Sequence, residues 1–199
     1  MVSDARADPA SESRCPARRL PAGAAGRRTS GSGSIWGGID SRFHRHENGK
    51  DLSELPLKSV ADLDCVVGRV DSAAGSAIGD VGLSRQAVRG RAVLFHTGWD
   101  RKWRTEAYLD GHPYLTERAA DWLAKSGAAL VGIDSMNIDS VATGDRPVHS
   151  VLLGREIQTV EHMRGLEAVP ERGGRFSAVP VKVKGFGTFP VRAFVGVGG

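Results

Sequence analysis

The sequence predicts one α/β domain built on a mixed sheet, and three observations carry that prediction. Short runs rich in Val, Ile, Leu and Phe recur along the chain, and several end directly in Gly, Asp or His. A well-capped amphipathic helix stands between two of these runs. The stretch 175–197 alternates apolar and polar residues, as half-buried strands do. Strand, helix and strand in close succession put polar and acid/base groups at strand ends, where sites in such folds are built.

The chain changes character near Ile35. Residues 1–35 are dominated by Ala, Arg, Gly, Pro and Ser, with almost no large aliphatics. Such a stretch buries too little apolar surface to offset its ordering entropy, so it is expected to be a disordered head. A signal peptide is disfavoured because no apolar core follows the charges. A transit peptide is open on the arginines but weakened by Asp4, Asp8 and Glu12. The remaining reading is a mis-start or frameshift in GC-rich DNA, which yields Arg, Ala, Pro and Gly without Lys.

From there each element follows in order. Residues 60–71 end in the run CVVGRV, a buried strand. Residues 80–90 suggest a short helix stopped by Gly90, and 91–99 a strand ending at a Thr-Gly turn. Residues 115–127 make the clearest helix: Thr116 is the N-cap, Ala119, Ala120, Trp122 and Leu123 form the inner face, and Gly127 stops it. Residues 128–134 read as a second buried strand ending in Asp134, and 155–163 as a shorter apolar run toward the same edge. Residues 175–197 should pair at least two strands.

Composition narrows the function classes. At 199 residues the chain can bury one sizeable core. No stretch approaches the roughly 18 to 20 apolar residues of a membrane span. The net charge of +4 sits mostly in the head, where six arginines face three acidic residues, and the body has no basic stripe interleaved with aromatics. Neither a membrane nor a nucleic acid is therefore expected as a partner. Cys15 and Cys65 suggest no disulfide framework, in keeping with a reducing, cytoplasmic location.

Four stretches carry candidate chemistry. Asp40 and His44, four apart, can converge on a metal or a water if the intervening turn is tight; solvated loop residues are the plainer reading. His96 and Trp99, at a strand end entering a Gly turn, are candidates for lining a substrate pocket, with simple packing the competing reading. Residues 132–153 hold Asp134, Asn137, Asp139 and His149, and Glu161 follows His149 by twelve residues. His46 and His162 should point away from the site if their segments are extended. Cys65 reads as a small buried hydrophobe.

Together the segments DSRFHRHENGKDLSELPL, AVLFHTGWDRKW, YLDGHPYLTERAADWL, GAALVGIDSMNID, TGDRPVHSVLLGREIQTVEHM and GFGTFPVRAF resemble the cyclase family that includes bacterial kynurenine formamidases. The resemblance covers roughly residues 37–195 in content, order and spacing. It implies a partly barrel-like sheet with flanking helices, of the swivelling β/β/α type, over residues 36–199. It also implies a metal-dependent hydrolase of an amide C–N bond, an arylformamidase acting on N-formyl-kynurenine or a related aryl or cyclic amide in tryptophan catabolism. A homo-oligomer, dimer or tetramer, is implied with it.

By the same resemblance Asp40, His149 and Glu161 are metal ligands, for zinc first and manganese second, and His44 is the acid/base residue. Asp134 orients a ligand or caps a turn. The family pattern H-x-x-x-H-x-D-x-x-x-H is incomplete, because its first two histidines fall on Ser34 and Gly38. The family's usual N-terminal strand is missing as well, and a domain without it is expected to expose a sheet edge. A catalytically silent cyclase-fold protein, or a truncated product with an incomplete site, is the alternative.

Overall fold

The computed structural model describes residues 35–70 and 77–198. The head assigned to residues 1–35, Ser34 included, lies outside these, apart from Ile35, which opens the first strand. Among the described residues, β1 spans Ile35–Asp40, β2 Leu63–Arg69, β3 Ala77–Ile78, α1 Arg85–Val88 and β4 Ala92–His96. They are followed by β5 (Tyr114–Leu115), α2 (Glu117–Ser126), β6 (Leu130–Ile133), α3 (Pro147–Gly154), β7 (Gln158–Glu161), β8 (Arg172–Ser177) and β9 (Thr188–Val197).

Seven strands close into a barrel in the order β1-β7-β6-β4-β2-β8-β9. The seams β2/β4, β4/β6 and β6/β7 are parallel, and the four others are antiparallel. The parallel seams require long crossovers, and α1, α2 and α3 lie in these connections. The mixed, barrel-like α/β fold expected above is therefore present. The open sheet edge is not: β1 bonds β7 on one side and β9 on the other, so closure takes up the backbone groups that an edge would leave free.

Side-chain alternation sorts the apolar residues into two layers. Ile39, Cys65, Val67, Leu94, Leu130, Val160, Phe176, Ala193 and Val195 fill the barrel. Their neighbours Val66, Val93, Phe95, Val131 and Ile133 face outward and pack under the helices, against Val88, Ala119, Ala120, Leu123, Val148 and Leu152. A strand buried on both faces reads as a continuous apolar run, which is why β2, β4 and β6 are visible in the sequence.

α2 matches its expected bounds: Thr116 Oγ1 accepts the Ala119 N–H at 3.2 Å, and Gly127 closes it in the left-handed conformation at φ 80°. α1 is shorter than the 80–90 expected. Asp80 accepts the Gly82 N–H and Gly82 takes φ 65°, so those residues form a turn, and the helix begins only after Ser84. No helix among the described residues is long and apolar enough to cross a membrane.

Candidate metal centre and adjoining cleft

β1 and β7 are hydrogen-bonded neighbours, with Asp40 opposite Thr159 and Gly38 opposite Glu161. Because Ile39 and Val160 point into the barrel, Asp40, Thr159 and Glu161 point out of it, toward α3. α3 presents His149 to them. His149 Nε2 lies 3.4 Å from Asp40 Oδ2 and 3.4 Å from Glu161 Oε1. All three residues are buried, with His149 only 1% exposed. Residues separated by more than a hundred positions thus meet because two strands pair and one helix packs across them.

Asp139 organises this arrangement. Its Oδ1 accepts the Val148 N–H at 2.8 Å and its Oδ2 the His149 N–H at 3.0 Å, satisfying donors at the start of α3 that Arg146 leaves uncapped. The same Oδ2 lies 2.6 Å from His149 Nδ1. In the neutral ring that contact keeps the proton on Nδ1 and leaves the Nε2 lone pair aimed between Asp40 and Glu161. The sequence pattern did not reveal α3 or this role of Asp139, since the cap is supplied from a distant residue rather than from the residue before the helix.

The other partners are spoken for. Asp40 Oδ2 accepts from Thr159 Oγ1 at 2.9 Å, and Glu161 Oε1 accepts the Ile138 N–H at 2.8 Å. Burial alone would lower the His149 pKa, but the hydrogen bond to Asp139 and the nearby carboxylates of Asp40 and Glu161 outweigh it and lift it to about 9. Burial, reinforced by repulsion from Asp40, pushes Glu161 up to about 7. Burial opposes ionisation of Asp40 too, yet the imidazole of His149 close beside it holds it below the usual range.

These residues fit a divalent cation. His149 Nε2 is buried with no hydrogen-bond partner. Two ligands about 2.1 Å from a zinc ion at the tetrahedral angle lie about 3.4 Å apart, which is the spacing seen here. One imidazole and two carboxylates, with Asp139 adding negative charge behind them, make a strongly anionic pocket that a cation would neutralise.

His44 sits at the rim. It belongs to the 3-10 turn Arg42–His44 directly after β1, and its ring centroid lies 5.7 Å from that of His149. The turn is seated by Ser41, whose N–H and Oγ–H both donate to the Gly187 carbonyl. A Cβ at Gly187 would come within 2.3 Å of the His44 backbone, so only glycine lets this turn approach β9. Burial lowers the His44 pKa despite the attraction of Asp40, leaving a neutral imidazole near pH 7.

A cleft of about 620 Å³ opens beside the centre. Gly38 and Thr188, the register partners of Glu161 and Asp40, lie along it, together with Trp103, Arg104, His162, Arg164 and Phe189. Gly38 faces open space, with nothing within 4 Å of a Cβ built there. His162 was expected to point away, but its backbone turns left-handed at φ 56° immediately after β7, which ends the strand alternation and brings the ring to the cleft. Its Nδ1 lies 3.1 Å from the Tyr108 hydroxyl.

His96 and Trp99 do not line this cleft. His96 shares a strand face with Leu94, and its Nδ1 is held by Arg69 at 2.8 Å. Trp99 donates through Nε1 to the Tyr108 carbonyl and is covered by the Lys102 ammonium, 3.4 Å from the ring centre. The cleft takes Trp103 instead. Asp134 caps the turn after β4, accepting from Thr97 N, Thr97 Oγ1 and Gly98 N. Cys65 is buried, as expected, and burial pushes its thiol up to about 11.

Residues 37–140, just over half of the chain, match the sequence model of the Cyclase family. The chain belongs to that family. The kynurenine formamidase of Salinibacter ruber is 30% identical over 159 residues, covering 78% of this chain and 72% of the relative. That of Erythrobacter litoralis is 29% identical over 144 residues, covering 72% of this chain. The chain spans 64% of the length of the Erythrobacter protein, just under two thirds. A solved structure described as a potential metal-dependent hydrolase with cyclase activity superposes with a TM-score of 0.69 at 25% identity, over 80% of this chain and 76% of that one. The cyclase fold therefore stands on sequence and on structure, and the resemblance to kynurenine formamidases on sequence.

Proposed function

We propose that this chain is a divalent-metal-dependent hydrolase of amide C–N bonds, acting on N-formyl-kynurenine or a related aryl or cyclic amide, with zinc as the first choice of metal and manganese the second. The observation that carries this reading is the buried Asp40–His149–Glu161 cluster, with an unpartnered Nε2 between two carboxylates. The names of the curated relatives support the reaction class.

Asp40, His149 and Glu161 would hold the ion, and Asp139 keeps His149 in the metal-binding tautomer. A bound divalent cation supplies a water of lowered pKa and polarises the amide carbonyl. His44, neutral and poised at the rim, takes the proton from the attacking water and returns it to the departing amine nitrogen. The cleft holds the organic part of the substrate against Trp103 and His162.

A second reading rests on a specific observation. Position 38, a histidine in the family pattern, is Gly38 facing empty space, so a silent binding protein with a weakened centre is the competing function. Metal content and formamidase turnover, measured on the wild type and on His44→Ala, separate the two. The hydrolase reading expects one bound metal in both proteins and turnover reduced about 10² to 10⁴-fold in the variant. No stoichiometric metal and no turnover in the wild type would establish the silent reading.

A further inference from the structure

We propose that Arg104 and Arg164 form an anion-recognition subsite in the cleft, so that the ligand taken there is a small aryl amide carrying a carboxylate. The proposal deepens the hydrolase reading, and rests on it only for the amide. The carboxylate and the ring are argued from the cleft itself.

Several arginines of the described barrel and its loops are committed. Arg42 pairs with Glu156, Arg155 with Asp121, and Arg175 with Asp62 and Asp64. Arg69 donates to His96 and to the Leu166 and Val169 carbonyls, and Arg91 donates to the Gln86 and Ala87 carbonyls. Arg104, exposed, and Arg164, half-buried, are among the arginines without an acidic partner among the described residues, and these two line the cleft.

Arg164 is also partly sunk into the wall. Its Nε is buried with no hydrogen-bond acceptor, and its guanidinium carbon lies 5.9 Å from the centre of the Trp103 ring. A buried guanidinium N–H without an acceptor is an unusual feature that a ligand oxygen would resolve. Arg104 holds a left-handed backbone at φ 68°, a conformation that costs energy for a residue with a Cβ.

The rest of the lining sets the ligand's other half. Trp103 and His162 meet at 5.9 Å with their rings inclined at 66°, above the Thr188 and Gly38 floor. Aromatic faces with cations near one end suit a flat ring bearing an anionic substituent, with guanidinium forks matching a carboxylate. The floor residues are the register partners of Asp40 and Glu161, so a ligand anchored by the arginines places its remaining substituent beside the metal centre.

The test compares two probes that differ in one charge, 2-acetamidobenzoate and acetanilide, by calorimetric titration of the full chain in EDTA. Removing metal prevents the carboxylate from being held by a cation instead of by arginine. The wild type is expected to bind 2-acetamidobenzoate at least about tenfold more tightly than acetanilide. In Arg164→Met and Arg104→Met that preference should fall toward one, while acetanilide affinity stays within about twofold; Arg164→Lys should keep part of it. Equal affinity for both probes in the wild type overturns the proposal. So does a preference seen only after zinc is added, or an equal loss for both probes in the variants. None of these readings depends on turnover, so failure of the hydrolase reading leaves the result interpretable.

Discussion

Two histidines in this molecule stand between carboxylates, and their surroundings make them opposites. His149 lies within 4.8 Å of oxygens of Asp40 and Glu161, and His96 lies within the same distance of oxygens of Asp100 and Asp134. Each cluster is one histidine and two carboxylates. In the first, Nδ1 faces the Asp139 carboxylate and must donate, so Nε2 offers a lone pair. In the second, Nδ1 faces the Arg69 guanidinium, which only donates, so Nδ1 must accept and Nε2 carries the proton.

The carboxylates follow suit. Asp134 is filled by hydrogen bonds from Thr97 and Gly98, and Asp100 Oδ2 accepts the Gly165 N–H at 2.9 Å. His96 Nε2 and Asp100 Oδ1, both buried without partners, suit a molecule that accepts from one and donates to the other, such as water, and not a cation. The residue behind each imidazole, not the set around it, separates a ring that can turn a lone pair toward its carboxylates from one that cannot.

The largest effect should come from breaking the first cluster. Glu161→Gln and His149→Gln are each expected to lower metal affinity by at least about 100-fold, read by metal content after dialysis. Glu161→Gln keeps the size and the Ile138 hydrogen bond while removing the charge. Retention of full affinity would remove Glu161 from the ligand set.

Next comes the residue that sets the tautomer. Asp139→Asn removes the charge that fixes Nδ1–H and should weaken metal binding by about 10 to 100-fold, with a folded protein by circular dichroism. Unchanged affinity would show that the tautomer needs no help from Asp139.

Protons compete with the metal in a defined window. His149 titrates near 9 and Glu161 near 7 in the metal-free protein, so below 7 the ion must displace protons from both. Affinity should rise with pH, steeply up to about 7, by about tenfold per unit from there to 9, and level off above. Calorimetry in buffers of different ionisation enthalpy counts the protons released. The stability of the metal-free protein runs the other way. The raised His149 pKa gives a contribution that is complete below its ordinary 6.5 and lost as pH rises through about 9.

The smallest effect on metal should come from the second cluster. His96→Asn should leave metal stoichiometry unchanged and lower stability by about 1 to 3 kcal/mol, through the lost Arg69 contact, measured by urea unfolding. Loss of a metal equivalent in His96→Asn would erase the distinction between the two clusters.

Much of the fold was legible before the structure. The runs that became β2, β4 and β6 are buried on both faces, so their composition reports strand without knowledge of neighbours. α2 carries its own Thr116 and Gly127 caps, which are local signals. Asp40, His44, His149 and Glu161 were named through family resemblance, and the structure brings Asp40, His149 and Glu161 together with His44 at the rim. Spacing alone could not have done this, because no local rule connects Asp40 to a residue more than a hundred positions away.

What the sequence determined by itself were the features encoded within a few residues: apolar runs, helix caps, the Thr-Gly turn after β4 and the glycine at position 38. Tertiary structure alone decided the closure of the barrel through β1, the capping of α3 by Asp139, and the replacement of Trp99 by Trp103 at the cleft. It also decided which histidine can hold a metal. The physical reason is that a tautomer is chosen by whichever group faces the other ring nitrogen, and that group arrives through space: Asp139 ten residues before His149, Arg69 twenty-seven before His96.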